Sequence, residues 1–312
     1  MSPSLMRKHE QYQRCVKALP APYTKTHWGA AYLGDSLDML RRMPRDSVDL
    51  ILTSPPFALR RRKAYGNVDA DTYLAWFLEF AHEFHRVLKP RGSLVVDIGG
   101  AWTKGEPTRS LYHFKLVIAL CEMEARPFHL AQEFYWFNPA KLPTPAQWVT
   151  VRRIRAKDAV NNIWWLSKST RPNANNRRVL TPYTEAMRNL LRRGYNAGPR
   201  PSEHNISLKW RRDNGGAIPP NLIAAANTRS NGPYLRRCRE TDTRPHPARF
   251  PDEIPSFFIR FLTTPGAVVL DPFAGSNVTG QEAEKLRRYW VAIEQNELYL
   301  RGAAFRFASD PL

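Results

Sequence analysis

The chain is predicted to adopt an α/β fold, with a mostly parallel sheet covered by helices on both faces. Two regions in which short apolar strands alternate with amphipathic helices support this prediction, and a polar, Arg- and Pro-rich middle separates them. We therefore divide the 312 residues into an N-terminal extension (1–25), a first α/β half (26–166), an inserted region (167–245) and a second α/β half (246–312).

The first half contains a short buried strand, Val48–Leu52, that runs into Thr53-Ser-Pro-Pro-Phe57. Two consecutive prolines cannot continue a central sheet ladder, so the strand ends there and residues 54–57 form a rigid loop. A helix with Asp71 as its N-cap follows, and a second strand ends at Asp97. Neighbouring parallel strands end at the same edge of a sheet, so Asp97 is expected near residue 54.

Further elements continue the same alternation in both halves. They are predicted helices at 110–124, 254–262 and 277–288, and predicted strands at 30–33, 134–137, 162–166, 267–270 and 289–294.

The formal net charge of +19 suggests a polyanionic partner, although a generally basic surface is an equally good explanation. More than half of the excess lies between residues 167 and 244, where sixteen Lys and Arg face five Asp and Glu. A solvated linker would fit this charge, but the interleaved aromatic residues Tyr195, Trp210 and Tyr234 favour an ordered binding module.

The three cysteines, Cys15, Cys121 and Cys238, are odd in number and lack the spacing of metal ligands. This argues against a disulfide framework and against a zinc site. The N-terminal residues lack the apolar core of a signal peptide, and no apolar run approaches the ~20 residues of a membrane span. We expect a soluble cytoplasmic protein with no metal and no membrane association.

A strand, a glycine-containing loop and a helix start occupy residues 268–280, and Glu294 ends the next strand. This is the pattern of a nucleotide-binding βαβ unit, in which the distal carboxylate accepts hydrogen bonds from ribose hydroxyls. The loop lacks the pyrophosphate fingerprint, so a nucleoside without phosphates fits it better. Asp271 suits an ammonium group on such a ligand, and a tight turn with a capping Asp is the alternative.

The loop Asp271-Pro-Phe-Ala-Gly-Ser276 resembles the S-adenosylmethionine-binding signature of DNA amino-methyltransferases, with Asn277 where glycine is commoner. His246-Pro-Ala-Arg-Phe-Pro251 is similar to the segment that closes over the methionine end of the cofactor in this family. A family carboxylate that contacts adenosine falls near Asp35, for which a helix N-cap is the alternative. The resemblance implies these cofactor-binding residues: Asp35, Ser36, His246, Phe250, Asp271, Pro272, Phe273, Ala274, Gly275, Ser276, Asn277, Thr279 and Glu294.

The tetrapeptide Ser54-Pro55-Pro56-Phe57 resembles the catalytic motif of the same family, whose Ser form accompanies cytosine N4 methylation and whose Asp form accompanies adenine N6 methylation. The Ser54 hydroxyl and the Pro55 carbonyl are suited to accept the two amine hydrogens, and the rigid prolines hold that carbonyl in place. Phe57 offers a stacking surface for a base that has left the duplex. We expect Asp97 to hydrogen-bond Ser54 or to handle the amine proton, unless it binds loop amides instead.

The motif order resembles that of the β-ordered DNA amino-methyltransferases, and most closely their cytosine-N4 members; the runs at 214–221 and 227–231 also look similar. The resemblance implies a Rossmann-like class I methyltransferase with a mixed seven-stranded sheet. It assigns catalysis to 26–166, target recognition to 167–245 and cofactor binding to 246–312. Double-stranded DNA is the expected partner of a nucleoid-associated bacterial monomer or homodimer, and the enzyme is either solitary or linked to a cognate restriction endonuclease.

Three rival functions remain open from the sequence. An adenine-N6 DNA methyltransferase shares every fold-level feature, and only Ser54 argues against it. An RNA or protein methyltransferase has no use for the recognition-like insert, and a catalytically silent DNA-binding protein has no use for an intact motif. Cytosine C5 methylation is disfavoured because it needs a cysteine that follows proline, whereas the three cysteines follow Arg14, Leu120 and Arg237.

Overall fold

A computed structural model describes residues 3–57, 72–194, 198–199, 201–203, 205–206, 212–228 and 232–307. The predicted N-cap Asp71, the aromatic residues Tyr195 and Trp210, and positions 229–231 of the run at 227–231 lie outside these ranges. Within them, the α-helices are α1 (Pro3–Lys17), α2 (Ser36–Arg42), α3 (Tyr73–Val87), α4 (Tyr112–Cys121), α5 (Glu185–Arg193), α6 (Pro233–Glu240), α7 (Glu253–Leu262), α8 (Val278–Lys285) and α9 (Glu297–Ala303). The strands are β1 (Thr24–Lys25), β2 (Gly29–Leu33), β3 (Val48–Thr53), β4 (Leu88–Ile98), β5 (His129–Phe137), β6 (Val160–Ser167), β7 (Gly198–Pro199), β8 (Asn205–Ile206), β9 (Leu222–Ala224), β10 (Val268–Asp271) and β11 (Tyr289–Glu294).

The main sheet has the strand order β1-β2-β11-β10-β3-β4-β6-β5-β9 in the described part of the chain. The strands from β2 to β4 in this order are parallel, whereas β6 runs antiparallel to both of its neighbours. The mixed α/β architecture predicted from the sequence is therefore confirmed. The sheet has nine strands rather than seven because β1 and β9 add two- and three-residue edge strands, which are too short to show a periodic pattern.

Helices pack on both faces of the sheet. On one face, α2, α3 and α4 contribute Leu40, Phe77 and Leu116 to the main apolar core. On the other face, α7 places Phe258 and Phe261 against aromatic side chains of β5 and β6. Alternate residues of the central strands are buried on opposite faces, which explains their almost continuous apolar sequences.

The strand β4 begins earlier than the sequence suggested. The run Lys89–Gly92 contains a proline and a glycine, which are typical of a break between a helix and a strand, but α3 ends at Val87 and β4 begins at the next residue. A register shift between β3 and β4 leaves these four residues out of the regular ladder. Pro90 is tolerated there because a bulged residue need not donate a ladder hydrogen bond.

Much of the N-terminal extension is helical and packs on the sheet. Tyr12 of α1 stacks on Tyr289 of β11 with 4.7 Å between ring centroids, and the imidazole of His9 hydrogen-bonds the Tyr289 hydroxyl at 2.9 Å. Tyr12 is buried, so α1 belongs to the core of the fold.

Residues 175–220 form a compact unit of their own within the predicted insert. Thr184 caps α5 by accepting a hydrogen bond from the Met187 amide at 3.2 Å, and Thr181 and Ala217 form an isolated antiparallel bridge. Among the described residues of the chain, no helix is both long and apolar enough to cross a lipid bilayer.

Candidate active site

The predicted site residues collect at one edge of the sheet. The parallel strands β3, β4, β10 and β11 all end at this edge, and the antiparallel strand β6 begins there. The site therefore draws on both halves of the chain, although residues 54 and 271 are more than 200 positions apart in sequence.

Ser54 and Asp97 form the hydrogen bond that the sequence predicted. The Ser54 hydroxyl donates to Asp97 Oδ2 at 3.1 Å. Asp97 is only 1% exposed, whereas Ser54 is half-buried and remains accessible from outside. The hydroxyl proton is directed at Asp97, so the lone pairs of Ser54 are available to accept a hydrogen bond from a substrate amine.

Two polar residues that the sequence reasoning missed extend this contact. Asn161 donates from Nδ2 to Asp97 Oδ1 at 3.3 Å, and Lys141 donates to Asn161 Oδ1, also at 3.3 Å. Asn161 lies near the start of β6, and only the antiparallel direction of that strand brings it to the edge that holds Ser54 and Asp97. The sequence predicted the strand but not its direction, so Asn161 gave no signal.

Burial raises the pKa of Asp97 to about 7, even though the hydrogen bonds from Ser54 and Asn161 and the positive charge of Lys141 oppose the shift. A carboxyl group with this pKa is present in both protonation states near neutral pH. It can therefore take up a proton at the pH at which the protein works.

The rest of the tetrapeptide is held firmly. Pro55 is buried, and Pro56 and Phe57 are half-buried. The ring of Phe57 lies so close to Gly99 that a Cβ at that position would come within 2.6 Å of it. The Tyr112 hydroxyl donates to the Gly99 carbonyl and fixes this segment from the other side. Glycine at position 99 thus makes room for the aromatic side chain of the motif.

Asp271 connects the end of β3 to the glycine-containing loop that follows β10. Its Oδ1 accepts hydrogen bonds from the Thr53 hydroxyl at 2.7 Å and from the Phe273 amide at 3.1 Å, and its Oδ2 accepts from the Thr279 hydroxyl at 2.7 Å. The side chain is 3% exposed, and burial raises its pKa to about 6 against the effect of these donors. Three of its acceptor positions are thus used inside the protein.

The loop after β10 has a strained backbone. Gly275 and Asn277 both have left-handed conformations, with φ of 51° and 56°. Asparagine tolerates this geometry better than most residues, and its side chain also caps α8 by accepting from the Gly280 amide at 3.0 Å. Arg306, another residue that sequence reasoning missed, donates to the Ser276 carbonyl and to its hydroxyl.

Glu294 lies beside the same loop. Its two carboxylate oxygens accept from the amides of Gly275 and Asn296, each at 2.9 Å. The side chain is half-buried, so its remaining lone pairs can still accept hydrogen bonds from a ligand hydroxyl. Burial raises the pKa of Glu294 above its ordinary value.

The structure also places the other predicted cofactor residues near this loop. Asp35 is exposed and is the N-cap of α2, which is the alternative that the sequence left open, and Ser36 donates to the Pro272 carbonyl. The His246 ring faces Gly275, and burial lowers its pKa to about 4. Phe273 packs on Phe80 of α3 with 5.1 Å between ring centroids.

Two further positions, Ala274 and Phe250, complete this set. Ala274 is buried and donates its amide to the Ile293 carbonyl at 3.0 Å, which joins the loop to β11. Phe250 is half-buried in the segment before α7.

In the described residues, no group of three or more His, Cys, Asp or Glu side chains is arranged to hold a metal ion.

A protein-family model described as DNA methylase, for N6 and N4 methyltransferases, matches residues 48–305. The type II methyltransferase M.PvuII of Proteus hauseri is 47% identical over 292 residues, which cover 93% of this chain and 86% of the relative.

Two solved structures share the fold. The cytosine-N4-specific PvuII DNA methyltransferase matches with a TM-score of 0.76 and 43% identity, covering 93% of this chain and 90% of the other. The TTHA0409 protein of Thermus thermophilus, complexed with S-adenosyl-L-methionine, matches with a TM-score of 0.53 at 20% identity, covering 89% and 94%. The second likeness shows the fold alone.

Proposed function

Because the chain belongs to the N6/N4 DNA methylase family, we propose that it transfers a methyl group from S-adenosylmethionine to the exocyclic N4 of cytosine in double-stranded DNA. The choice of cytosine is supported by the relative that is 47% identical, since the solved PvuII enzyme is cytosine-N4-specific. It is also the choice that the serine form of the motif favours.

The observation that carries the proposal is the 3.1 Å hydrogen bond from Ser54 to Asp97, at the edge where the glycine loop also lies. The lone pair of an exocyclic amine is delocalised into the ring, so the amine is a weak nucleophile until its hydrogens are held out of the ring plane. The Ser54 hydroxyl and the Pro55 carbonyl supply two acceptors at the end of β3. Such positioning contributes several kcal/mol to transfer between two oriented groups.

The residues around the glycine loop fit the cofactor. Gly275 has no Cβ, and this makes room for the His246 ring, which would lie 3.1 Å from a Cβ at that position. Glu294 is suited to accept hydrogen bonds from the ribose hydroxyls, and His246, being neutral at pH 7, adds no positive charge beside a sulfonium. When bound there, S-adenosylmethionine supplies an electrophilic methyl group. Asp271 is more strongly engaged with Thr53 and Thr279 than a dedicated ammonium ligand would be, so we assign it the role of joining the two loops.

During methylation the exocyclic nitrogen must lose one proton. We assign Ser54 as the group that accepts a hydrogen bond from this nitrogen and Asp97 as the final acceptor of the proton. The proton passes from the nitrogen to Ser54 Oγ while the hydroxyl proton of Ser54 passes to Asp97, so serine ends as it began. A pKa of about 7 allows Asp97 to take up this proton and to release it between turnovers.

A target base inside a duplex cannot reach this site, so we propose that the cytosine leaves the helix and stacks on Phe57. The inserted region at 167–245 is the proposed recognition module. The enzyme is proposed to act at the bacterial nucleoid, as a monomer or homodimer, beside an endonuclease that cuts the same site.

The test is methyl transfer to unmethylated bacterial genomic DNA, followed by digestion to nucleosides and mass analysis. N4-methylcytosine as the product, lost in the Ser54→Ala variant, is the expected result. N6-methyladenine would overturn the choice of base. Absence of any methylated nucleoside, despite cofactor binding, would overturn the assignment of DNA as the substrate.

A further inference from the structure

The loop at residues 138–159 joins β5 to β6 and forms a strongly basic surface. It lies outside the region 167–245, to which the sequence analysis assigned target recognition. It carries Lys141, Arg152, Arg153, Arg155 and Lys157 against one acidic residue, Asp158. Every residue from 151 to 157 is exposed, including Val151 at 75%. In the described part of the chain, none of the cations at 152–157 forms an ion pair with a carboxylate. A cluster of unpaired cations suits a polyanionic partner.

The strand register places this loop beside the catalytic residues. Phe137, the last residue of β5, pairs with Val160, and Asn162 pairs with Ile98 at the end of β4. The loop therefore lies at the edge that holds Asp97. Lys141, near its beginning, reaches that site directly through its hydrogen bond to Asn161.

The base of the loop is fixed by several contacts. The Asn138 amide donates to the Ala159 carbonyl at 2.8 Å, and Trp102 donates from its indole to Asp158 at 2.9 Å. Trp148 is buried within the loop, and the guanidinium of Arg152 lies 5.3 Å from the centre of its ring. These contacts order the exposed run before any partner binds, which lowers the entropy cost of docking.

Resting on the proposed function, we infer that the 138–159 loop is a second DNA-contacting surface, whose arginines bind duplex phosphates next to the target base. Arg152 and Arg153 are the residues that contact the phosphates most directly. Arg155 donates to the Pro107 carbonyl and Lys157 to the Pro139 carbonyl, so these two also serve the loop itself. The proposal adds a DNA contact from residues 26–166, the half assigned to catalysis. This contact is in addition to the recognition role proposed for 167–245.

The experiment measures binding to a fluorescein-labelled DNA duplex of about 30 base pairs as the salt concentration is raised. Each lost phosphate contact lowers the slope of log Kd against log salt by about 0.9, so Arg152→Gln/Arg153→Gln should lower it by roughly 2. The dissociation constant at ~0.1 M salt should rise roughly tenfold. Arg152→Lys/Arg153→Lys keeps both charges and should retain most of the slope.

The matched control is Arg42→Gln/Arg126→Gln, which removes two exposed charges away from the catalytic edge. It should bind as the wild type does. Thermal midpoints and cofactor affinity, measured for all variants, check that each one is folded.

A slope that is equal in the loop variant and the control, or a wild type that does not bind duplex, would overturn the inference. Methyl transfer to genomic DNA is assayed in parallel. If the wild type binds duplex without methylating it, the proposed function fails, while the difference in slope still decides the role of the loop.

Discussion

Two aspartates at the same sheet edge have similar burial and different surroundings. Asp97, the next-to-last residue of β4, has two side-chain donors, one of which is the half-buried Ser54. Asp271 ends β10 with three donors, all within the protein framework. Burial raises the pKa of both, to about 7 for Asp97 and to about 6 for Asp271. We infer from this difference that burial alone does not suit a carboxylate to the proposed proton transfer, and that an accessible hydrogen-bond partner is also needed.

The largest effect on kcat is expected when aspartate is replaced by asparagine, and the same substitution should distinguish Asp97 from Asp271. Asp97→Asn removes the proton acceptor and should lower kcat by about 10²- to 10⁴-fold, with cofactor affinity unchanged. Asp271→Asn should keep most of the activity, because the Thr279 hydroxyl can reverse and accept from the new amide. Steady-state methylation kinetics and cofactor titration measure both. Equal losses of kcat in the two variants would contradict the comparison.

Removing the Asp271 carboxylate altogether should affect stability most. Asp271→Ala leaves the Thr53 and Thr279 hydroxyls and the Phe273 amide without their acceptor in a buried site. Each buried donor without a partner costs about 1–3 kcal/mol, so a total loss of at least about 3 kcal/mol is expected in chemical denaturation. Ser54→Ala serves as the comparison, because it removes one donor from Asp97 and leaves the bond from Asn161 in place, so it should cost only about 1 kcal/mol.

The pH dependence of kcat should follow the protonation of the Asp97 carboxyl group. Its pKa is raised, so the carboxyl is protonated below about pH 7 and cannot accept a proton there. We expect kcat to rise about tenfold per pH unit below this value and to level off above it. Rates under saturating substrate between pH 5.5 and 9, in steps of about half a unit, measure this. A flat profile through pH 7 would remove Asp97 from the proton path.

The smallest effect is expected from Asn161→Ala. The hydrogen bond from Asn161 lowers the pKa of Asp97, so its loss should raise that pKa and move the midpoint of the kcat profile to higher pH. The shift should be less than about one unit, because burial is the larger cause. A fall in kcat without a shift of the midpoint would indicate that Asn161 acts only by packing.

The sequence predicted the class of fold and the main pieces of the site. Apolar runs identified the strands β3, β10 and β11, and the double proline showed where β3 ends. The contact between Ser54 and Asp97 followed from the rule that parallel strands end at a common edge.

The remaining site residues depend on relations that no local pattern contains. Asn161 reaches the site only because β6 is antiparallel, and Arg306 reaches Ser276 only because the chain returns after α9. The bond from Thr53 to Asp271 requires that β3 and β10 be neighbours. These are consequences of tertiary packing, and a single sequence without its fold does not show them.

The strand order also has a consequence for how the protein is made. In the sheet, β11 and β10 lie between β2 and β3, although they are synthesised more than 200 residues later. The strands β2 and β3 therefore leave the ribosome with unpaired edges. These edges stay unpaired while the middle of the chain is synthesised. Long-range pairing of this kind is slow and exposes aggregation-prone strand edges, so the nascent chain is an expected client of chaperones until β10 and β11 emerge.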